Sequence, residues 1–186
     1  MKTSFQNRYG KKIVVLIEEA PRQKGLAFVM HGLGGFKEQP HIEVFAKAFV
    51  ENGYTAVRFD TTNTIGESDG KYEDATVTTY YEDLEDVIGW AKSQKWYEEP
   101  FCLAGHSLGG ISVAIYAERH PEQVKGVAPI SSVISGKLSE ETKMYRGTLD
   151  EWKKTGWQIK ESRSKPGMIK RLPYSHMEDR LKYDLI

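Results

Sequence analysis

Phe101-Cys102-Leu103-Ala104-Gly105-His106-Ser107-Leu108-Gly109-Gly110-Ile111 is the stretch that decides the fold. The apolar run from Pro100 to Ala104 reads as a short buried strand, and Ile111-Ser112-Val113-Ala114-Ile115-Tyr116-Ala117 as a helix, with glycines on either side of the turn between them. A serine in G-x-S-x-G at such a junction stands on a strained turn, its hydroxyl clear of the sheet. The helix start beside it offers backbone N–H groups to a developing negative charge. Gly105 and Gly109 are needed because a Cβ there would crowd the crossing of strand and helix. The pattern predicts covalent catalysis, with Ser107 as the nucleophile.

A second motif lies upstream. Gly25-Leu26-Ala27-Phe28-Val29-Met30 is a buried-strand run that ends in His31-Gly32-Leu33-Gly34-Gly35. Acyl transfer needs two donors aimed at the tetrahedral oxygen. The residue after the nucleophile supplies one, the Leu108 N–H. A glycine-rich turn after an earlier strand lets its own backbone approach closely, and Leu33 N–H is the expected second donor.

Working outward, strand and helix alternate. Phe5–Arg8 and Lys12–Glu18 read as a hairpin turned through Asn7-Arg8-Tyr9-Gly10. Ile42, Phe45, Ala46 and Phe49 recur at helical spacing, and that helix closes at Asn52-Gly53. Thr55–Phe59 is the next strand, followed by a polar loop from Thr61 to Ala75. A helix from about Thr78 to Ser93 is expected to bury Tyr81, Leu84, Val87, Ile88 and Ala91. Val124–Ile130 is the last clear strand. Such alternation implies an α/β fold with a mostly parallel sheet flanked by helices.

From Ser131 the texture changes, and runs of branched apolar residues cease. Capping boxes at Thr148-Leu149-Asp150-Glu151 and Ser175-His176-Met177-Glu178 signal short helices. Met144, Tyr145, Trp152 and Trp157 sit among basic residues. The expectation is a core over residues 1–132 and a helical cap over 133–186.

The 186 residues suit one domain with a substantial core. Lys+Arg and Asp+Glu both total 26, so no net field favours nucleic acid or an anionic membrane. The N-terminal residues carry no apolar signal-like run and no stretch is long enough to span a membrane, so a cytoplasmic protein is the default expectation. Cys102 is the single cysteine, which excludes intrachain disulfides and suits a small core residue. No HExxH, CxxC or G-x-G-x-x-G after the first strand is present, so no metal or organic cofactor is expected.

Together the two glycine motifs, Arg58-Phe59-Asp60 and Gly66-Glu67-Ser68-Asp69-Gly70 resemble the α/β-hydrolase superfamily, closely from Gly25 to about Ser132. Within it the chain is most similar to small capped serine esterases of the cinnamoyl/feruloyl esterase and monoacylglycerol lipase type. Thr61-Thr62-Asn63-Thr64-Ile65 departs from the shorter G-H-G stretch usual there.

The resemblance implies a Ser–Asp/Glu–His triad, with acid and histidine on strands and loops that follow the cap. The sequence lacks those last two strands, and the triad acid and histidine are not found. His120 is expected to end a helix away from the site, His106 to pack beneath the serine turn, and His31 to hold the oxyanion turn. His41 is expected near the first helix and exposed, and His176 exposed in a first helical turn. Asp60 is expected to anchor loops, as in the family, and Asp179 and Asp184 to be solvated. Without further strands, 124–130 is a sheet edge with unpaired backbone. The expectation is a chain cut before its C-terminal third. The alternative is complementation of that edge by another polypeptide or by a second copy.

Between Lys143 and Arg171 nine basic residues face three acidic ones. This reads as attraction for an anionic substrate or as a solvated face. Tyr145, Trp152 and Trp157 suit either a pocket lining or the packing of a small cap. The functional expectation is hydrolysis of a small carboxylic ester through an acyl-enzyme on Ser107. The rival is a non-catalytic binding module on the same fold, favoured by the missing acid and base.

Overall fold

The computed structural model describes residues 1–142, 145–162 and 165–185. Its main sheet is built from β1 (Lys2–Gln6), β2 (Lys12–Glu18), β3 (Gly25–Met30), β4 (Tyr54–Phe59), β5 (Phe101–His106) and β6 (Val124–Ile130). The spatial order is β1-β2-β4-β3-β5-β6. The β1–β2 hairpin joins β4 antiparallel, and every later pairing is parallel. The hairpin turn is set by Asn7, whose Oδ1 accepts the N–H groups of Tyr9 at 2.9 Å and Lys11 at 3.0 Å. The α/β class with a mostly parallel sheet is therefore what the chain adopts.

Side chains alternate across the sheet, as the pleat demands. Val29 points to the face covered by α1 (Pro40–Glu51), where Ile42 and Ala46 pack with Ala56 and Ala104. Phe28 and Met30 point to the other face, covered by α2 (Val77–Ala91) and α3 (Leu108–Arg119). All six residues of β3 are consequently buried. At its N-terminus α2 has a complete capping box between Thr76 and Thr79. The residues expected to be its buried stripe, from Tyr81 to Ala91, are buried.

Among the described strands β6 pairs with β5 alone, and its five middle residues are exposed. The expected sheet edge is thus one of the two outer strands of the described sheet, β1 being the other.

The segment after β6 differs from the helical cap expected. It contains α4 (Gly136–Glu141), α5 (Leu149–Thr155) and α6 (Ser175–Arg180), but also an antiparallel hairpin of β7 (Trp157–Glu161) and β8 (Ile169–Pro173). The strand signal was weak because the apolar residues of the alternation, Trp157, Ile159 and Ile169, face solvent rather than a core. Neither capping box forms: Thr148 bonds to the Tyr145 carbonyl, and α6 begins after Tyr174 without a side-chain cap. The cap has its own small core of Tyr145, Trp152, Leu172 and Met177. Trp152 stacks on Tyr145 at 5.8 Å and donates its indole N–H to the Leu172 carbonyl at 3.0 Å. Trp157 lies outside this core, beneath the Arg171 guanidinium.

α6 is tied to the start of α2. Asp179 accepts the Thr78 N–H at 3.0 Å and the Thr78 hydroxyl at 2.6 Å. Expected to be solvated, Asp179 is instead buried, because it serves the free amide of a helix start. Its carboxyl is held below the usual range: burial raises it, and the Thr78 and Lys182 hydrogen bonds outweigh burial.

Candidate active site

Ser107 stands between β5 and α3 at φ 52° and ψ −112°, outside the regions an ordinary residue prefers. Such a backbone costs about 1–3 kcal/mol and persists only when its surroundings fix it. They do so here. The Ser107 N–H donates to Ile130 at the end of β6 at 2.9 Å, and the Ser107 carbonyl accepts from Gly110 at 3.0 Å. A Cβ on Gly105 would lie 2.3 Å from the Gly109 carbonyl oxygen, and one on Gly109 2.4 Å from that of His31. Strand, helix and upstream loop meet here on bare α-carbons.

The upstream loop is fixed just as firmly. His31 is fully buried, with Nδ1 donating to the Gly32 carbonyl at 2.8 Å and Nε2 accepting the Thr61 N–H at 3.1 Å. Burial lowers the pKa of this imidazole, which keeps it neutral. The Tyr80 hydroxyl also donates to the Gly32 carbonyl, at 3.2 Å. Gly32 approaches so closely that a Cβ on it would lie 3.0 Å from the Ser107 Cβ. Neither the Leu33 nor the Leu108 N–H has an acceptor among the described residues. For Leu108 this follows from its place in the first turn of a helix.

Asp60 is buried at the end of β4 and joins two loops. It accepts the Lys37 N–H, the Lys37 ammonium and the Glu67 N–H, each at 2.8 Å. Lys37 is itself buried. Burial opposes its charge, but hydrogen bonds to Asp60, Glu67 and Glu38 prevail and raise its pKa. The three carboxylates converge on an internal ammonium, and Asp60 is engaged in anchoring.

A cavity of about 770 Å³ lies over Ser107. The sheet side contributes Gly32 to Gly35, His106 and Ser107; the cap side contributes Tyr145, Gln158, Lys170 and Arg180. Trp152 is in the cap core and not in this lining. Lys143 and Met144, named with the basic cap, and Arg163, counted within it, lie outside the described residues.

The remaining histidines fall as follows. His120 closes α3, its ring tilted against that of Tyr116 with centroids 4.6 Å apart. His106 and His41 sit edge to face at 4.7 Å and both line the cavity. His41 was expected to be exposed. It is half-buried, because the first turn of α1 packs beside the serine turn. Burial lowers the pKa of both rings. His176 was also expected to be exposed and is fully buried. Its Nδ1 donates to the Ala75 carbonyl at 2.7 Å, and its Nε2 accepts from the Arg180 guanidinium at 2.9 Å. Burial, then the Arg180 charge, pushes it down to about 4. Among the described residues no imidazole or carboxylate is hydrogen-bonded to the Ser107 hydroxyl.

The sequence marks His41 near the first helix but does not single out the polar lining residues Gln158 and Arg180. Local pattern carries no signal for them, since the cap's packing alone brings Gln158 and Arg180 over the serine. The i, i+4 spacing of His176 and Arg180 was the only trace.

The model of the X-Pro dipeptidyl-peptidase (S15 family) matches residues 6–182. No curated protein matches the chain. Among solved structures it is similar to Est1E from Butyrivibrio proteoclasticus with ferulic acid bound, at 21% identity and TM-score 0.81, over 98% of this chain and 72% of that one. It is similar to the α/β hydrolase GrgF from Penicillium sp. sh18, at 17% identity and TM-score 0.76, over 100% and 73%. For α/β hydrolase domain-containing protein 10 from mouse the values are 18% and 0.72, over 100% and 71%. At these identities the likeness is one of fold.

Proposed function

Since the chain belongs to the X-Pro dipeptidyl-peptidase (S15) family, of α/β-hydrolase type, we propose that it is a serine hydrolase cleaving carboxylic esters through an acyl-enzyme on Ser107. In this scheme the Ser107 oxygen bonds to the ester carbonyl carbon, whose own oxygen becomes negative between the Leu33 and Leu108 N–H groups. Collapse breaks the bond to the alcohol, which departs carrying the serine's proton. Water then attacks the acyl-enzyme, releases the carboxylic acid and restores the hydroxyl. One observation carries the proposal: a serine at positive φ lines a cavity beside two backbone amides with no acceptor among the described residues.

A second function is favoured by a different observation. The Ser107 hydroxyl has no hydrogen-bond partner among the described residues, as expected of a module that binds without turnover. A fluorophosphonate probe followed by peptide mass spectrometry separates the two. The serine-hydrolase assignment expects one adduct, on Ser107, absent in Ser107→Ala. It also expects release of p-nitrophenol from p-nitrophenyl acetate to fall about 10³-fold or more in that variant. A properly folded chain that takes no adduct, with none on any longer form, decides for the binding module.

A further inference from the structure

Buried polar nitrogens without a partner are scarce in folded proteins, and each calls for a cause. Among the described residues there are three: His41 Nε2, Gln158 Nε2 and Arg180 Nε. They come from α1, β7 and α6, and all three residues line the cavity that holds Ser107. Three unpartnered nitrogens in the lining of one cavity point to polar atoms of a ligand.

Arg180 narrows the class. It is only 4% exposed, yet no carboxylate of the described residues pairs with it. Its Nη1 donates to the Tyr145 hydroxyl at 3.2 Å and its Nη2 to His176 Nε2 at 2.9 Å. A guanidinium has five N–H donors, so Nε–H and one hydrogen on each Nη are left over. An uncompensated buried charge is costly, whereas a planar carboxylate meets this fork with two parallel hydrogen bonds. The cavity's other ionic lining is Lys160, Lys170 and a single acid, Glu161, which accepts the Gly167 N–H at 2.7 Å. His176 is a positioning residue here. Its Nδ1 bond to Ala75 turns the acceptor Nε2 toward Arg180 and fixes the plane of the fork.

We propose that the cavity over Ser107 takes esters whose acyl or alcohol part ends in a carboxylate, held by the Arg180 guanidinium with Gln158 as a further donor. This substrate class rests on Ser107 being the nucleophile, but the anion site itself does not.

The test uses the full chain and two probes of like shape, glutarate and its neutral diamide, glutaramide. Calorimetric titration reads binding without chemistry, and the rate of fluorophosphonate labelling at Ser107 reads occupancy beside the serine. Glutarate is expected to bind at least tenfold more tightly than glutaramide and to slow labelling at concentrations where glutaramide does not. Arg180→Gln is expected to abolish that preference and Arg180→Lys to keep part of it. Should Arg180→Gln fail to fold, the glutarate–glutaramide comparison on the unaltered chain decides alone. Equal binding of the two probes overturns the proposal, and so does inorganic phosphate binding more tightly than glutarate. If glutarate binds but Ser107 never labels, the anion site stands and the nucleophile falls. If Ser107 labels and glutarate neither binds nor protects, the reverse holds.

Discussion

The two walls of the cavity are made of different material. On the sheet side the wall is backbone: the loop after β3 and the turn before α3, pressed together through Gly32, Gly105 and Gly109 and pinned by the buried His31. On the cap side it is side chains, Tyr145, Gln158, Lys170 and Arg180, carried on short elements around Trp152. The first wall presents amide hydrogens at fixed positions, which stabilisation of a developing charge requires. The second presents long polar groups whose identity can change without disturbing the sheet, which suits selection among ligands.

The contrast breaks most sharply at Trp152. Trp152→Ala empties the cap core and is expected to cost about 4 kcal/mol, felt in the cap. Hydrogen exchange read by mass spectrometry should quicken across α5, β8 and α6 while β3 keeps its protection. Equal loss in both would show that the walls unfold as one. Next comes Gly109→Ala, whose new methyl meets the His31 carbonyl rather than a movable side chain. It should destabilise the chain by about 3 kcal/mol in urea titration and also remove fluorophosphonate labelling. A variant that melts normally and still labels would refute the rigid sheet wall.

The smallest of the three effects sharpens the comparison through pH. Folded, His176 takes its proton only near 4, against an ordinary value of 6.5. Between those values the unfolded chain holds more protons, so stability from this group falls on acidification, by on the order of 3 kcal/mol at most. Asp83 acts oppositely, because burial pushes its carboxyl up to about 6 and acidification relieves its charge. His31, His41, His106 and Asp179, whose pKa values are also lowered, add to the slope of His176, so His176→Gln, which can still donate to Ala75 and accept from Arg180, is needed to isolate the histidine's share. Subtracting the stability profile of the variant from that of the parent should leave a change confined to pH 4–6.5. A flat difference would mean that His176 is charged or free.

Legibility in the sequence follows the same division. β3, β5, α2 and α3 were readable because their signals are local: apolar runs, a helical stripe, and glycines where chains cross. The strand end puts Asp60 at the active-site edge of the sheet, but its anchoring role is what the family resemblance implies. The β7–β8 hairpin is hidden because Trp157, Ile159 and Ile169 face outward, Leu172 turns inward alone, and the neighbours are lysines. His176 reads as an exposed first-turn residue and Asp179 as a solvated helix charge, and only docking of α6 on the Ala75–Thr78 backbone buries them. Arg180 stayed invisible for a related reason, since a basic residue at a helix end ordinarily lies in water.

Because α-carbons without substituents rest directly on neighbouring carbonyls at Gly105 and Gly109, the serine turn and the glycine loop are expected to move as a single piece. A bulkier guest gains no room by prising them apart. Space for it comes from displacement of the opposite lip, so guest size should be recorded in the deuterium uptake of residues 157–180 and leave 31–35 and 105–110 unchanged.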